Sequence, residues 1–144
     1  MNKGRMKAHT AWLAGLIIFS CLFPVGILKG DPAKDILDAS GVKGGLIVHL
    51  GSGNAALTAR LQAGNQYFVH GLETDAAEVT TARDNLIKQG IYGPVSIDQW
   101  DGEHLPYADN LVNLIVADKP ENVSEAELLR ALAPQGVALV RQKG

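Results

Sequence analysis

Leu46-Ile47-Val48-His49-Leu50-Gly51-Ser52-Gly53-Asn54-Ala55-Ala56-Leu57-Thr58 joins three signals in one short stretch. An apolar run enters a glycine turn, and an Ala/Leu-rich helical pattern leaves it. A strand of a parallel sheet is covered by helices on both faces, so it reads as an uninterrupted apolar run. Gly51 and Gly53 permit a tight turn and let the backbone come close to a ligand. The N–H groups that open the following helix point at whatever lies above the strand end. Together these features outline a strand–loop–helix nucleotide site, although glycine turns of this length also recur by chance.

The flanking sequence repeats the same units. Residues 66–72 are rich in β-formers and end at Glu73. Asp75 with Glu78 three positions on is a capping box, and it opens a helix whose stripe is Val79, Ala82, Leu86 and Ile87. A third strand follows at 94–97, then a loop over 100–110. The fourth strand, 111–117, is apolar apart from Asn113. Ser124 with Glu127 repeats the capping box, residues 133–136 read as a turn, and 137–140 as a fifth strand. Upstream, Asp31-Pro32 opens a short helix over 33–39 that Ser40-Gly41 ends. Alternating strands and helices imply right-handed crossovers and a doubly wound, mostly parallel five-stranded α/β sheet. In such sheets ligands sit beyond the carboxyl ends of the strands. Gly51 to Gly53, Glu73, Asp101 and Asp118 all fall there.

With 144 residues, 47% of them hydrophobic, and a net charge of -2, the chain has material for one packed domain. No basic excess points to nucleic acid. A single cysteine, Cys21, excludes an internal disulfide and a cysteine-based metal site. No metal-ligand cluster and no credible Ser-His-Asp set is present.

The N-terminus differs from the rest. Lys3, Arg5 and Lys7 precede an apolar run from Ala11 to Phe23 that continues past Pro24 to Leu28. A basic flank before an apolar core is the pattern of a secretory signal, and the run approaches the length of a single spanning helix. Residues 1–30 are therefore expected to be a signal peptide or membrane anchor. The domain over 31–144 is then expected on the exported, periplasmic side, attached to the membrane if the leader is uncleaved.

Gly51-Ser52-Gly53-Asn54-Ala55-Ala56 fits the dinucleotide pattern G-x-G-x-x-G/A, with Glu73 at the distance ribose recognition requires. An NAD-dependent oxidoreductase is one reading. The second half favours another. Trp100-Asp101-Gly102-Glu103-His104-Leu105-Pro106-Tyr107-Ala108-Asp109-Asn110 before a strand resembles the class I S-adenosylmethionine-dependent methyltransferases. So does Leu129-Arg130-Ala131-Leu132-Ala133-Pro134-Gln135-Gly136-Val137-Ala138-Leu139, and the resemblance spans roughly residues 43 to 141. It implies a Rossmann-like sheet in a minimal or truncated form, lacking the family's last two strands. The cofactor it implies is S-adenosyl-L-methionine. Gly51, Ser52 and Gly53 would lie against its methionine part, Glu73 would hold the ribose hydroxyls, and Asp101 and Gly102 would meet the adenine.

Two readings stand for Asp118: it orients or deprotonates the methyl acceptor, or it caps backbone. Trp100 either flanks the adenine or packs in the core. The family usually carries an acid where this chain has His49, and a neutral imidazole offers the cofactor's ammonium no such attraction. His49 reads as a structural substitution, and Asn113 stands where the family often has aspartate. A leader joined to a short methyltransferase-like head also bears a weaker resemblance to the N-terminal part of exported bacterial propeller proteins of the pyrroloquinoline-quinone type. That would make the domain a non-catalytic binding or interaction module.

Overall fold

The computed structural model describes residues 17–19, 30–119 and 122–141. The expected leader lies outside these apart from Ile17–Phe19 and Gly30. No helix among the described residues is long and apolar enough to cross a membrane.

The elements follow in chain order: β1 (Ile17–Phe19), α1 (Pro32–Ser40), β2 (Gly45–Leu50), α2 (Ala56–Leu61), β3 (Tyr67–Glu73), α3 (Ala76–Lys88), β4 (Val95–Gln99), β5 (Val112–Ala117), α4 (Glu125–Ala131) and β6 (Leu132–Val140). The strands form one sheet in the order β1-β6-β5-β2-β3-β4, and every pairing is parallel. The five expected strands are β2 to β6. The sheet gains β1, three residues of the expected leader, beside Val137–Leu139 of β6. All carboxyl ends share one edge. The direction of winding reverses between β2 and β5, so the switch point lies beside the Gly51 turn.

Both faces are covered, which explains the unbroken apolar runs. On one face Ile47, Val69, Ile97 and Leu114 pack under Leu37 of α1, Leu61 of α2 and Ala82 and Leu86 of α3. On the other, Val48, Leu50, Leu72 and Ile115 pack under Leu128 and Ala131 of α4 and under Leu105 of the 100–110 loop. Asn113 is the polar exception in β5, and its Oδ1 accepts the Leu46 N–H at 3.0 Å, tying down the start of β2.

The turn expected at 133–136 is a bulge inside β6 instead. Leu132 pairs with Val112 and Val137 with Leu114, so four residues of β6 bow out against a single residue of β5. Pro134 has no N–H for the ladder and Gln135 sits at φ 66°, so this chemistry interrupts the pairing without reversing the chain. At the outer edge of the sheet, Arg83 of α3 donates from Nε to the Ile97 carbonyl at 2.8 Å and pairs through Nη2 with Asp98.

Candidate functional site

Four strand ends meet at the carboxyl edge. Gly51 turns with φ 78° and Gly53 with φ 51°. The two glycines serve different needs. A Cβ on Gly51 would lie 2.7 Å from the Lys119 Cβ, so Gly51 is required by the chain leaving β5 rather than by a ligand. A Cβ on Gly53 would meet nothing within 4 Å, and there the backbone does face open space.

Ser52 turns its side chain away from that space. It is buried, and its hydroxyl points down at Gly71 of β3, without a hydrogen-bond partner. Only its backbone belongs to the turn's upper surface. Gly71 was not among the expected site residues. A side chain there would occupy the place of Ser52.

Glu73 ends β3 beneath the turn and is 2% exposed. Its Oε2 accepts the Gly53 N–H and its Oε1 the Thr74 N–H, both at 2.9 Å. Burial alone would raise this carboxyl, but the N–H donations of Gly53 and Thr74 outweigh it and hold Glu73 below the ordinary glutamate range. The Gly53 N–H is therefore spent on Glu73 and is not free to meet a ligand. Each carboxylate oxygen keeps a further lone pair for a hydroxyl donor. Glu78, one turn into α3, is raised by the neighbouring Glu73 charge and lies 4.0 Å from Lys119 Nζ.

Asp101 follows β4, which pairs with β3 as far as Glu73 opposite Gln99. Its Oδ1 accepts the N–H groups of Glu103 and His104, both at 2.8 Å, and these bonds keep it ionised below the usual range. The side chain is exposed and Oδ2 also faces His104 Nδ1. Gly102 is buried beside it, and its carbonyl accepts the Asn122 N–H at 3.2 Å. Trp100 packs against the core on the α4 face, which is the packing reading of that residue.

The loop bearing Asp101 and Gly102 is fastened at several points. Arg130 of α4 donates to the carbonyls of Leu105 and Tyr107 and pairs with Asp109 and Glu127. Glu127 in turn accepts the Leu105 N–H at 2.9 Å. The Tyr107 hydroxyl lies 2.7 Å from His70 Nδ1, and His70 Nε2 lies 2.9 Å from Asp98.

On the far side of the Gly51 turn stands a second polar group. His49, 1% exposed, places Nδ1 at 2.8 Å from Thr58 Oγ1 and Nε2 at 3.3 Å from Asp118 Oδ2. The Asp118 carboxyl is held below its usual range, chiefly by this hydrogen bond. Its other oxygen lies 3.3 Å from Arg141 Nη2, just past β6. Thr58, Lys119 and Arg141 carry no motif that would single them out in the sequence. The structure thus groups Gly51, Gly53 and Glu73 with the backbone of Ser52, sets Asp101 and Gly102 beyond them over β4, and puts Asp118 on the opposite flank.

The methyltransferase domain family matches residues 47–140, the span that carries all of these groups except Arg141. The chain belongs to this family. Among curated relatives it is 32% identical to the ubiquinone/menaquinone biosynthesis C-methyltransferase UbiE of Idiomarina loihiensis, and 34% identical to that of Photorhabdus laumondii subsp. laumondii. Each match covers 72% of this chain and 45% of the relative, so the chain spans less than half the length of the curated relatives it matches. Among solved structures, a methyltransferase dependent on S-adenosylmethionine from Aquifex aeolicus superposes with a TM-score of 0.61 at 20% identity, over 72% of this chain and 59% of that one. The [4+2]-cyclase SpnF superposes with 0.63 at 24% identity, over 71% and 40%. These two establish a shared fold. Nothing among these relatives supports the propeller resemblance.

Proposed function

We propose that this domain binds S-adenosyl-L-methionine across the carboxyl ends of β2, β3 and β4 and presents it for methyl transfer. The observation that carries this reading is Glu73, a buried carboxylate kept ionised directly beneath the one open glycine of the turn. An ionised carboxylate with spare lone pairs suits a ribose diol, since bonds from hydroxyls to a charged acceptor are the strong ones. Asp101 and the buried Gly102 lie beyond β4, the next strand, where an adenine attached to that ribose would fall. The bound cofactor supplies an activated methyl on a sulfonium. The residues around it hold and orient it, which is the main catalytic demand of an in-line displacement. Asp118, already paired with His49 and Arg141, is a weak base, so the arrangement favours charge recognition over proton abstraction.

Calorimetric titration of the full chain with S-adenosylmethionine, S-adenosylhomocysteine and NAD tests this reading. Binding of the first two without NAD is expected, with Glu73→Ala weakening both by at least about tenfold, or ~1.4 kcal/mol. Preference for NAD would favour the dinucleotide reading. Absence of all three would leave a non-catalytic module.

The basic and apolar pattern of residues 1–30 supports a second proposal, that this segment carries the domain to or across a membrane. The use of Ile17–Phe19 as β1 competes with it. A fusion of residues 1–30 to a compartment-sensitive reporter separates the two, and activity confined to the cytoplasm would defeat the export proposal.

A further inference from the structure

S-adenosylmethionine is a nucleoside that ends in an amino acid, so its far end carries an ammonium and a carboxylate. If Glu73 holds the ribose and Asp101 lies on the adenine side, that end must run the other way, across β2 to β5. Neighbouring strands are ~4.8 Å apart, so it reaches groups ~10 Å from Glu73, within the span of the molecule. Asp118 waits there at the end of β5, joined by Arg141, which follows β6 one strand further on and reaches back to it, at the switch point where open sheets of this kind bind their ligands.

Asp118 is built into position rather than left on a loose loop. Its N–H donates to the Leu50 carbonyl at 3.1 Å, which fastens it to the residue before the Gly51 turn. An ionised carboxylate only accepts, so the hydrogen shared with His49 must reside on Nε2. In a neutral ring Nδ1 is then the acceptor, and Thr58 donates to it. Thr58 is fully buried and His49 nearly so, and the chain Thr58–His49–Asp118 has no other outlet than the carboxylate. The side chain of Asp118 is 25% exposed and that of Arg141 70%. The pair therefore presents one negative and one positive group side by side at the edge, as a zwitterion requires.

We propose that Asp118, aimed by His49, receives the ammonium group of S-adenosylmethionine, while Arg141 receives its carboxylate. On this reading the negative charge that His49 cannot supply from β2 is delivered from the adjacent strand, with the histidine as its support. His49 and Thr58 are positioning residues. The inference rests on the cofactor reading above.

Three ligands separate the two. 5′-Methylthioadenosine keeps only the nucleoside, decarboxylated S-adenosylmethionine adds the ammonium, and S-adenosylmethionine adds both charges. Titrated into the full chain, wild type is expected to bind all three, with S-adenosylmethionine tightest. Asp118→Asn should weaken S-adenosylmethionine and its decarboxylated form by about tenfold or more and leave methylthioadenosine unchanged. Arg141→Gln should weaken S-adenosylmethionine alone. Equal loss for all three ligands in Asp118→Asn would mark a structural role and overturn the proposal, as would no loss. A wild type that binds none of them fails the cofactor reading itself. Should Asp118→Asn unfold, Asp118→Ser, which likewise removes the charge, is read by the same pattern.

Discussion

A methyl group placed on Gly71 would lie 2.3 Å from Ile97 Cδ1 and 2.9 Å from Ser52 Cβ. The isoleucine end can swing aside, but the Ser52 Cβ is fixed to the glycine turn. Gly71→Ala should therefore lift the turn off the sheet, costing about 1–3 kcal/mol as an overpacked site, and should weaken nucleoside binding as well. Denaturant unfolding and calorimetry on the same variant check both halves. In the sequence Gly71 reads only as a weak spot in a strand. Its reason is a contact with a turn that another strand delivers, and no local pattern encodes such a contact. His49 is a similar case. Its departure from the family's acid is visible in the sequence, but its partners lie 9 and 69 positions away, and only the β2–β5 pairing brings the second one in. Glu73 was legible because it ends its strand at a spacing that the fold repeats. Its burial under Gly53 was not.

The elements themselves were the most legible level, because caps and apolar runs are local. Asp31, Asp75 and Ser124 cap α1, α3 and α4 with their side chains as their positions predict. The capping-box glutamates are used differently. Glu127 spends its carboxylate on the Leu105 N–H and Arg130, and Glu78 lies beside Glu73 and Lys119. Each helix start therefore also supports the site, which a box motif by itself does not announce. The start of α2 is the exception. Ala55 precedes it with φ 65° and no side-chain cap, a left-handed conformation that costs an alanine roughly 1–2 kcal/mol. Its methyl is nonetheless buried. Ala55→Gly relieves the strain while losing a buried methyl worth ~0.8 kcal/mol and gaining unfolded-state entropy, so stability should change by less than about 1 kcal/mol. Ala82→Gly, equally buried but mid-helix in α3, relieves nothing and should cost about 2 kcal/mol. Parallel urea melts of the two variants decide the point.

Across the whole molecule, the carboxylates that hold the site together share one electrostatic sign. Glu73, Asp101 and Asp118 are all held below their ordinary range, and the Arg130 guanidinium takes Glu127 down to about 2. A folded-state pKa below the unfolded value gives stability that is complete above the unfolded pKa and is lost as pH falls through the folded one. The urea midpoint should therefore be flat from neutral down to about pH 5, then drop steadily toward pH 3 as these groups take up protons. Glu78, raised by its neighbour, acts in the opposite sense, but it is one group against four. Glu127→Gln should flatten the most acidic part of the curve. This coupling of one edge of the sheet into a single pH response follows from parallel topology, which gathers every carboxyl end on the same side. The sheet's lateral rim has a consequence of another kind. A parallel sheet leaves the outer strand β4 with unpaired backbone groups, a template on which a second molecule can add a strand. Arg83 occupies the Ile97 carbonyl on that rim and sets a charged pair with Asp98 across it. A residue whose local role is to fasten α3 to β4 thereby also places charge on the free rim, a feature that disfavours edge-to-edge pairing of copies of the chain.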